Sequence, residues 1–218
     1  MSFTDELYRE TSHIQDAILN HPFPEGIGNG SLDMSSFKYF IEQDYLFLLD
    51  YAKILGLAAI KSPDRYKMRT FSELLLETIS TEMELHIQFC EKLGISEIDL
   101  VNADKAEATS AYTNFLVRIG YEGSFEEIVA ALLPCMATYS DIGIALKSKA
   151  SGNIPNAYKE WILMYSSHEF KTLADWISDL INTLGDLSDE TTLKKMILAY
   201  ESSCVHELNF WSMCINSK

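Results

Sequence analysis

Three side chains that can do chemistry occur where helical periodicity predicts a buried face. Asp44 lies four residues from both Phe40 and Leu48, inside an apolar stripe of helical spacing. Glu207 falls in a similar stripe near the end of the chain, and Cys135 follows a proline in an apolar run. Because an unpaired buried charge is costly, ordinary stability does not explain such carboxylates. These three residues are therefore the first candidates for a functional site.

Each candidate has a functional and a structural interpretation. A carboxyl group buried at Glu207 has a raised pKa, which suits a general acid near neutral pH, whereas a lysine or arginine partner makes it structural. Asp44 either binds a ligand or belongs to a buried ion pair. Cys135 is either a nucleophile or one of the inert small thiols common in cores. Pro134 cannot donate to the Ala130 carbonyl, which predicts a helix kink just before the thiol.

The remaining histidines give little support for a metal or haem centre. His13 could hold haem iron only as a lone histidine, which is no signature of a haem site. A di-iron bundle requires Glu-x-x-His twice, and Glu82 to His86 is one residue too long. His86 is instead predicted to be a satisfied core residue. Its inward stripe contains Leu75, Ile79, Met83 and Cys90. We predict no metal site, and the sequence has no phosphate-loop or dinucleotide glycine motif.

Helices must position these side chains, because apolar residues recur at intervals of three and four throughout the chain. Only ten glycines and five prolines interrupt this pattern, and strand-type alternation is nearly absent. A loop is predicted at 26–30 and a helix connection at 151–153. The capping-box pattern Ser124-x-x-Glu127 begins one helix. The predicted helices cover about 5–20, 33–55, 63–93 with a break near Tyr66, 107–118, 124–148, 155–164, 168–183 and 189–214.

These elements predict an all-α fold, a single-domain multi-helix bundle of seven to nine helices over residues 1–218. The chain carries 17 Lys plus Arg against 32 Asp plus Glu, a net charge of −15. An acidic field of this size repels phosphate backbones, which argues against nucleic acid as a partner.

The sequence also predicts a cytoplasmic protein. No uncharged apolar run approaches about 18 residues, so no membrane span is expected. The N-terminus is too acidic and polar for a signal peptide. The four cysteines form no CxxC pair and are expected as thiols in a reducing compartment.

Short motifs that follow one another along nearly the whole chain carry a family resemblance. They are His21-Pro22-Phe23, Gly26-Ile27-Gly28, Phe37-x-x-x-Ile41-x-Gln43-Asp44-Tyr45-Leu46, Glu84-x-His86, Tyr112, Leu133-Pro134-Cys135-x-x-x-Tyr139, Tyr158-x-x-Trp161-x-x-x-Tyr165-Ser166-Ser167 and Glu207-x-x-Phe210-Trp211. In their joint order and spacing they resemble the TenA/THI-4 family of thiaminase II proteins, in its cysteine-containing branch.

The resemblance implies a haem-oxygenase-like helical fold without haem or another cofactor. It also implies a homotetramer with an aminopyrimidine pocket inside each subunit. Family members cleave thiamine to hydroxymethylpyrimidine and hydroxyethylthiazole, or convert 4-amino-5-aminomethyl-2-methylpyrimidine to 4-amino-5-hydroxymethyl-2-methylpyrimidine with release of ammonia. The expected function is therefore a hydrolase of thiamine salvage, and the expected partner is a small molecule, an aminopyrimidine or thiamine.

The resemblance also assigns roles to the candidate residues. Cys135 is expected to add as a thiolate to the electron-poor pyrimidine ring. Glu207 is expected to protonate the departing group and then to help activate water. Asp44 is expected to accept hydrogen bonds from the amino edge of the ring. Three tyrosines are expected to supply hydroxyl groups and aromatic walls: Tyr112, Tyr139 and Tyr165. Tyr139 lies one turn after the thiol and is expected to hydrogen-bond it.

Phe47 is the main departure from the family pattern, because many relatives carry tyrosine at this substrate-binding position. Phenylalanine keeps the ring but removes a hydroxyl group, and one lost hydrogen bond costs about 1–3 kcal/mol of binding. Phe47 therefore motivates a second hypothesis, a non-catalytic pyrimidine- or thiamine-binding or regulatory protein on the same fold. A metal oxygenase on this fold is a third alternative.

Overall fold

The structure, a computed structural model, describes residues 2–149 and 154–216. All secondary structure in these two ranges is helical, so the predicted all-α class is confirmed. The predicted helix connection at 151–153 lies outside the described residues. The α-helices in these ranges are α1 (Phe3–Glu10), α2 (Ser12–Leu19), α3 (Pro22–Asn29), α4 (Met34–Lys61), α5 (Arg65–Glu77), α6 (Met83–Lys92), α7 (Glu97–Asn102), α8 (Glu107–Glu122), α9 (Phe125–Lys149), α10 (Asn156–Tyr165), α11 (His168–Leu187) and α12 (Glu190–Asn216). A π-turn (Thr78–Glu82) joins α5 to α6.

The predicted number of seven to nine helices is too low, partly because the N-terminal region is divided. The segment predicted as one helix over 5–20 is two helices, α1 and α2, separated at Thr11. The Thr11 backbone adopts φ −108° and ψ 12°, and its hydroxyl donates to the Leu7 carbonyl at 2.8 Å. The predicted loop at 26–30 is mostly α3, which has proline at its first position and ends at Gly30 with φ 78°.

Two further boundaries differ from the prediction for local reasons. Helix α7 lies where no helix is predicted, and Ser96 begins it with a capping box. Helix α8 continues through Gly120, before which it is predicted to end. A Cβ atom added at Gly120 would lie 2.5 Å from the Leu57 side chain, so this glycine allows α8 to approach α4 rather than ending the helix.

The irregularity in the third predicted helix lies at the π-turn and not at Tyr66, which belongs to the regular first turn of α5. Within the π-turn the Met83 N–H bonds to the Thr78 carbonyl, five residues back instead of four. Thr78 lies seven residues after the buried Phe71 and so continues the inward face of α5, while Ile79 is 54% exposed. The predicted inward position of Ile79 is therefore wrong.

Helices α4, α9 and α12 form the centre of the bundle. Helix α9 packs against α3, α4, α8, α10, α11 and α12, and it is apolar on nearly every side. Its length and composition suit a membrane span, but 78% of its most apolar window is buried inside the fold. Helix α9 is thus the core helix. The stripes of α4 and α12 bury Asp44 and Glu207 as predicted, with exposures of 6% and 2%.

Candidate active site

A cavity opens among α4, α5, the π-turn and helices α8 to α12. The cavity has a volume of about 70 Å³. Its wall combines aromatic and aliphatic side chains with one thiol and three carboxyl groups. No lysine, arginine or histidine belongs to this wall in the part of the chain that the structure describes.

All seven residues singled out from the sequence line this one cavity. Helix α4 contributes Asp44 and Phe47, α8 Tyr112, α9 Cys135 and Tyr139, α10 Tyr165, and α12 Glu207. Five helices that are distant along the chain therefore place one sulfur, two carboxyl groups and four aromatic rings around a common space. The third carboxyl group is that of Glu82, at the end of the π-turn.

The Cys135 thiol is protonated in its resting state. It donates to the Leu132 carbonyl, with Sγ 3.0 Å from the oxygen, and the sulfur accepts a hydrogen bond from Tyr51. Burial raises the pKa of the thiol well above its ordinary value of 9.0, and the nearby Glu207 raises it further. The hydrogen bond from Tyr51 lowers this pKa but does not offset burial. A thiolate therefore forms only when a base removes the proton.

Tyr51, rather than the predicted Tyr139, supplies the hydroxyl group at the thiol. Helix α9 runs on through Pro134, and α4 packs beside it, which brings Tyr51 to the sulfur. The Tyr139 ring instead packs against Tyr165, with ring centroids 4.8 Å apart. A sequence signal for Tyr51 exists, because it follows Phe47 by four residues and so shares its helix face.

Glu207 has the properties of a buried acid without a basic partner. Burial raises its pKa from an ordinary value of 4.5 to about 8, although the hydrogen bond from Tyr112 opposes the rise. The Tyr112 hydroxyl lies 2.7 Å from Glu207 Oε1. Among the described residues no lysine or arginine forms an ion pair with Glu207. Among these residues, Glu207 therefore does not form the buried ion pair that is its structural alternative.

The Ser203 hydroxyl works against the effect of Tyr112 on Glu207. Tyr112 Oη lies 2.9 Å from Ser203 Oγ, and the Ser203 hydroxyl donates to the Ala131 carbonyl at 2.7 Å. Each hydroxyl group has only one proton to donate. When Glu207 is ionised, Tyr112 donates to it and the contact between Tyr112 and Ser203 has no proton left. When Glu207 is protonated, it donates to Tyr112, Tyr112 donates to Ser203, and all three contacts are hydrogen bonds.

Asp44 faces the cavity without a cation of its own. His86 Nε2 lies 2.8 Å from the Ile41 carbonyl, so this nitrogen carries a proton and donates it. Burial lowers the pKa of His86, which keeps the ring neutral, and its Nδ1 lies 4.0 Å from Asp44 Oδ2. Burial also raises the pKa of Asp44 from 3.8 to about 7. In the described residues no lysine or arginine pairs with this carboxyl group, which can therefore bind a donor or cation on a ligand.

Close helix packing aligns the aromatic walls. The Phe47 and Tyr112 rings lie on one side with centroids 5.0 Å apart, and Tyr139 and Tyr165 form another contact. Gly143 permits the second contact, because a Cβ atom there would lie 2.6 Å from the carbonyl carbon of Tyr165. Only glycine lets the end of α10 approach α9 so closely.

Gln43 fixes the start of α8, the helix that carries Tyr112. The Gln43 side chain is buried, and its amide nitrogen donates to a backbone carbonyl just before α8 at 3.0 Å. Its oxygen accepts from the Ala106 N–H at 2.9 Å and from the Thr109 hydroxyl at 2.6 Å. Because Gln43 adjoins Asp44, one turn of α4 positions both the carboxyl group and the helix that faces it.

Three residues of the site are not found by the sequence reasoning: Tyr51, Ser203 and Glu82. Ser203 lies one turn before Glu207, but a serine in a helix has no feature that distinguishes it. Glu82, at the end of the π-turn, follows Thr78 by four residues and lines the cavity with it. His86 is a satisfied core residue, as predicted, whereas His13 is exposed on α2 and does not line the cavity.

Comparisons with known proteins identify the family and the fold of the chain. Residues 8–217 match the model of the TENA/THI-4/PQQC family. A protein of Halalkalibacterium halodurans named aminopyrimidine aminohydrolase is 38% identical over 218 residues, which cover 100% of this chain and 97% of the relative.

Solved structures confirm the fold. The TenA homologue of P. horikoshii OT3 superposes with a TM-score of 0.93 at 25% identity, covering 100% of both chains. A domain of Shewanella denitrificans described as having a heme oxygenase-like fold gives a TM-score of 0.75 at 13% identity, covering 97% of this chain and 91% of the other, which shows the fold alone. With its family match over nearly the full length, the chain belongs to the TENA/THI-4/PQQC family.

Proposed function

We propose that this protein is a hydrolase of thiamine salvage. It converts 4-amino-5-aminomethyl-2-methylpyrimidine and water to 4-amino-5-hydroxymethyl-2-methylpyrimidine and ammonia, or cleaves thiamine at the same methylene group. The observation that carries the proposal is the cavity lined by one thiol and two deeply buried carboxyl groups. The name of the relative from Halalkalibacterium halodurans, aminopyrimidine aminohydrolase, supports the same reaction class.

Asp44 is the proposed anchor for the pyrimidine. Its buried carboxylate can accept hydrogen bonds from the 4-amino edge of the ring and stabilise positive charge on a protonated ring. A bound donor also offsets the desolvation cost of the buried carboxylate, because the neutral His86 does not offset it. The aromatic side chains Phe47, Tyr112, Tyr139 and Tyr165 are the proposed walls of the ring site.

Cys135 is the proposed nucleophile and Glu207 the proposed acid and base. The thiol proton passes to the ionised Glu207 as the sulfur bonds to an electron-poor ring carbon, which leaves the electron pair on the ring. The return of this pair expels neutral ammonia from the ammonium arm, or the neutral thiazole from thiamine, and the proton held by Glu207 then passes to the ammonia or to solvent. The hydrogen bond from Tyr51 stabilises the thiolate whenever it forms.

Water completes the reaction through the same groups. Its oxygen bonds to the methylene, one of its protons passes to Glu207, and an electron pair moves into the ring. This pair then expels the sulfur and restores the aromatic ring, after which Glu207 returns the proton to the thiolate. Such a cycle requires a carboxyl group that exchanges a proton near neutral pH, and the rise of the Glu207 pKa to about 8 meets this requirement.

The variant Cys135→Ser tests the covalent step. A hydroxyl group is a much weaker nucleophile than a thiolate, so turnover of the aminomethylpyrimidine is expected to fall by orders of magnitude while the helical circular-dichroism spectrum stays unchanged. Cys90→Ser is the matched control, because Cys90 is fully buried and does not line the cavity. Undiminished turnover in Cys135→Ser would remove the covalent mechanism.

A non-catalytic pyrimidine-binding protein is the second candidate, and Phe47 is the observation that favours it. This side chain contacts the Tyr112 ring and lines the cavity without a hydroxyl group. Tight binding in calorimetry, with no product after long incubation with either substrate, would favour this candidate. Comparing ammonia release from the aminopyrimidine with cleavage of thiamine under identical conditions identifies the working substrate.

We also propose a cytoplasmic homotetramer in which residues 1–218 form one domain and each subunit holds one pocket. Several large apolar side chains on the surface support subunit contacts. Ile60, Tyr66, Ile98, Val101 and Tyr121 are each between 67% and 75% exposed. Light scattering is expected to give four times 24.7 kDa, about 99 kDa, and the mass of a single chain would contradict the proposal.

A further inference from the structure

Glu82 is a third carboxyl group on the cavity wall, and the reaction proposed above gives it no task. It is the last residue of the π-turn and is partly buried. Burial, together with the charge of Asp44, raises its pKa from 4.5 to about 7, although a hydrogen bond with Thr78 and the nearby His86 oppose the rise. Glu82 therefore stands close enough to Asp44 for the two ionised groups to repel each other.

No described side chain neutralises this pair of carboxyl groups. The described cavity wall contains no basic residue, and the nearby His86 is neutral because burial lowers its pKa. Asp44 is more than nine-tenths buried and has no cation among the described residues. A ligand that carries a positive charge into this space removes the mutual repulsion of the acids, whereas a neutral ligand does not.

The neighbours of Glu82 indicate which part of the ligand it meets. Its charge acts on Asp44 and also on Cys135 and Tyr165, so it lies within electrostatic reach of both the proposed ring anchor and the thiol. Asp44 then binds the 4-amino group, and the thiol attacks ring carbon 6, which carries no substituent. The methylene arm is attached to carbon 5 and therefore lies between them. In both candidate substrates this arm is cationic, because it bears a primary ammonium group or a thiazolium ring.

We propose that Glu82 is a specificity-determining residue whose carboxylate binds the positively charged arm of the substrate. This inference rests on the proposed function. Glu82 lines the cavity together with Thr78, which lies four residues earlier at the start of the π-turn. The reaction replaces the cationic arm with a neutral hydroxymethyl group, so the ion pair is lost and the product is bound more weakly than the substrate.

The variant Glu82→Gln tests the proposal, because it removes the negative charge while keeping the size of the side chain and an oxygen for the Thr78 hydroxyl. We expect kcat/KM for the aminomethylpyrimidine to fall about ten-fold through KM, while the inhibition constant of the neutral hydroxymethylpyrimidine stays within about two-fold. Glu82→Asp keeps the charge and is expected to recover part of the loss.

Glu84→Gln is the matched control. Glu84 is exposed two residues further along the chain, where its carboxylate accepts from Gln88 at 3.1 Å, and its replacement removes the same charge without touching the cavity. We expect neither ligand to respond to this control.

Two outcomes overturn the inference alone. Unchanged kcat/KM in Glu82→Gln shows that the arm does not contact the carboxylate, and equal weakening of both ligands shows a structural role. Circular dichroism confirms the fold of each variant, and Glu82→Ala, which also removes the charge, gives the same two comparisons if Glu82→Gln fails to fold. A wild-type protein that neither binds nor converts the two pyrimidines overturns the proposed function and this inference together.

Discussion

Replacing Glu207 with glutamine is expected to stabilise the protein at alkaline pH while removing its proposed catalysis. The acid is 2% exposed, and burial raises its pKa from 4.5 to about 8. Between these two values the folded protein holds a proton that the unfolded chain has released. Stability therefore falls as pH rises through this window, because folding must pull a proton onto the carboxyl group. Glutamine is neutral at every pH and has no such cost.

The size of the effect follows from the same two values. Their difference is about 3.5, and each pKa unit corresponds to about 1.4 kcal/mol, which gives an upper limit of about 5 kcal/mol above pH 8. The glutamine oxygen can still accept from the Tyr112 hydroxyl, which lies 2.7 Å from Oε1, so little is lost at acidic pH. We expect the two proteins to be of similar stability near pH 5 and to differ by several kcal/mol near pH 9.

Urea denaturation of wild type and Glu207→Gln at pH 5, 7 and 9 measures this difference. Other titrating groups affect both proteins equally and cancel in the comparison. Glu84→Gln serves as the control, because an exposed glutamate should give a difference that varies little with pH. A constant difference between wild type and Glu207→Gln across the three pH values, or a less stable variant at pH 9, would refute the reasoning about burial.

Four further predictions concern the surroundings of the reacting groups. Ser203→Ala removes the second acceptor of the Tyr112 hydroxyl, so the pKa of Glu207 should fall and the rise of kcat/KM with pH should move to lower pH. An unchanged pH profile would show that Ser203 does not compete with Glu207 for this proton. Tyr51→Phe removes the hydrogen bond that stabilises the thiolate, so alkylation of the thiol by iodoacetamide should become slower at each pH. Phe47→Tyr should retain or raise turnover, and a large loss would show that the pocket differs from that of its relatives. Gly143→Ala forces α9 and α10 apart, which should lower the melting temperature and raise KM, with a cost of about 1–3 kcal/mol.

The all-α class and the buried faces of α4 and α12 are readable from the sequence, because helical periodicity is a local property. Asp44 and Glu207 interrupt apolar stripes, and the structure buries both. The motif order also identifies the family, and the candidate residues line one cavity. Short helices are harder to find, since a contact as small as the Thr11 hydroxyl bond to the Leu7 carbonyl can divide a segment.

Contacts between helices that are distant in sequence decide the rest. The approach of Tyr51 to the thiol depends on how α4 packs beside α9, and the bond from Ser203 to the Ala131 carbonyl depends on how α12 packs there. Glu82 lies at the end of a single five-residue π-turn, which no periodic pattern reveals. The sequence by itself determined which acids and which thiol are buried. Only the tertiary structure decided which hydroxyl groups and which third acid meet them, because these distances depend on helix crossings and phase rather than on local spacing.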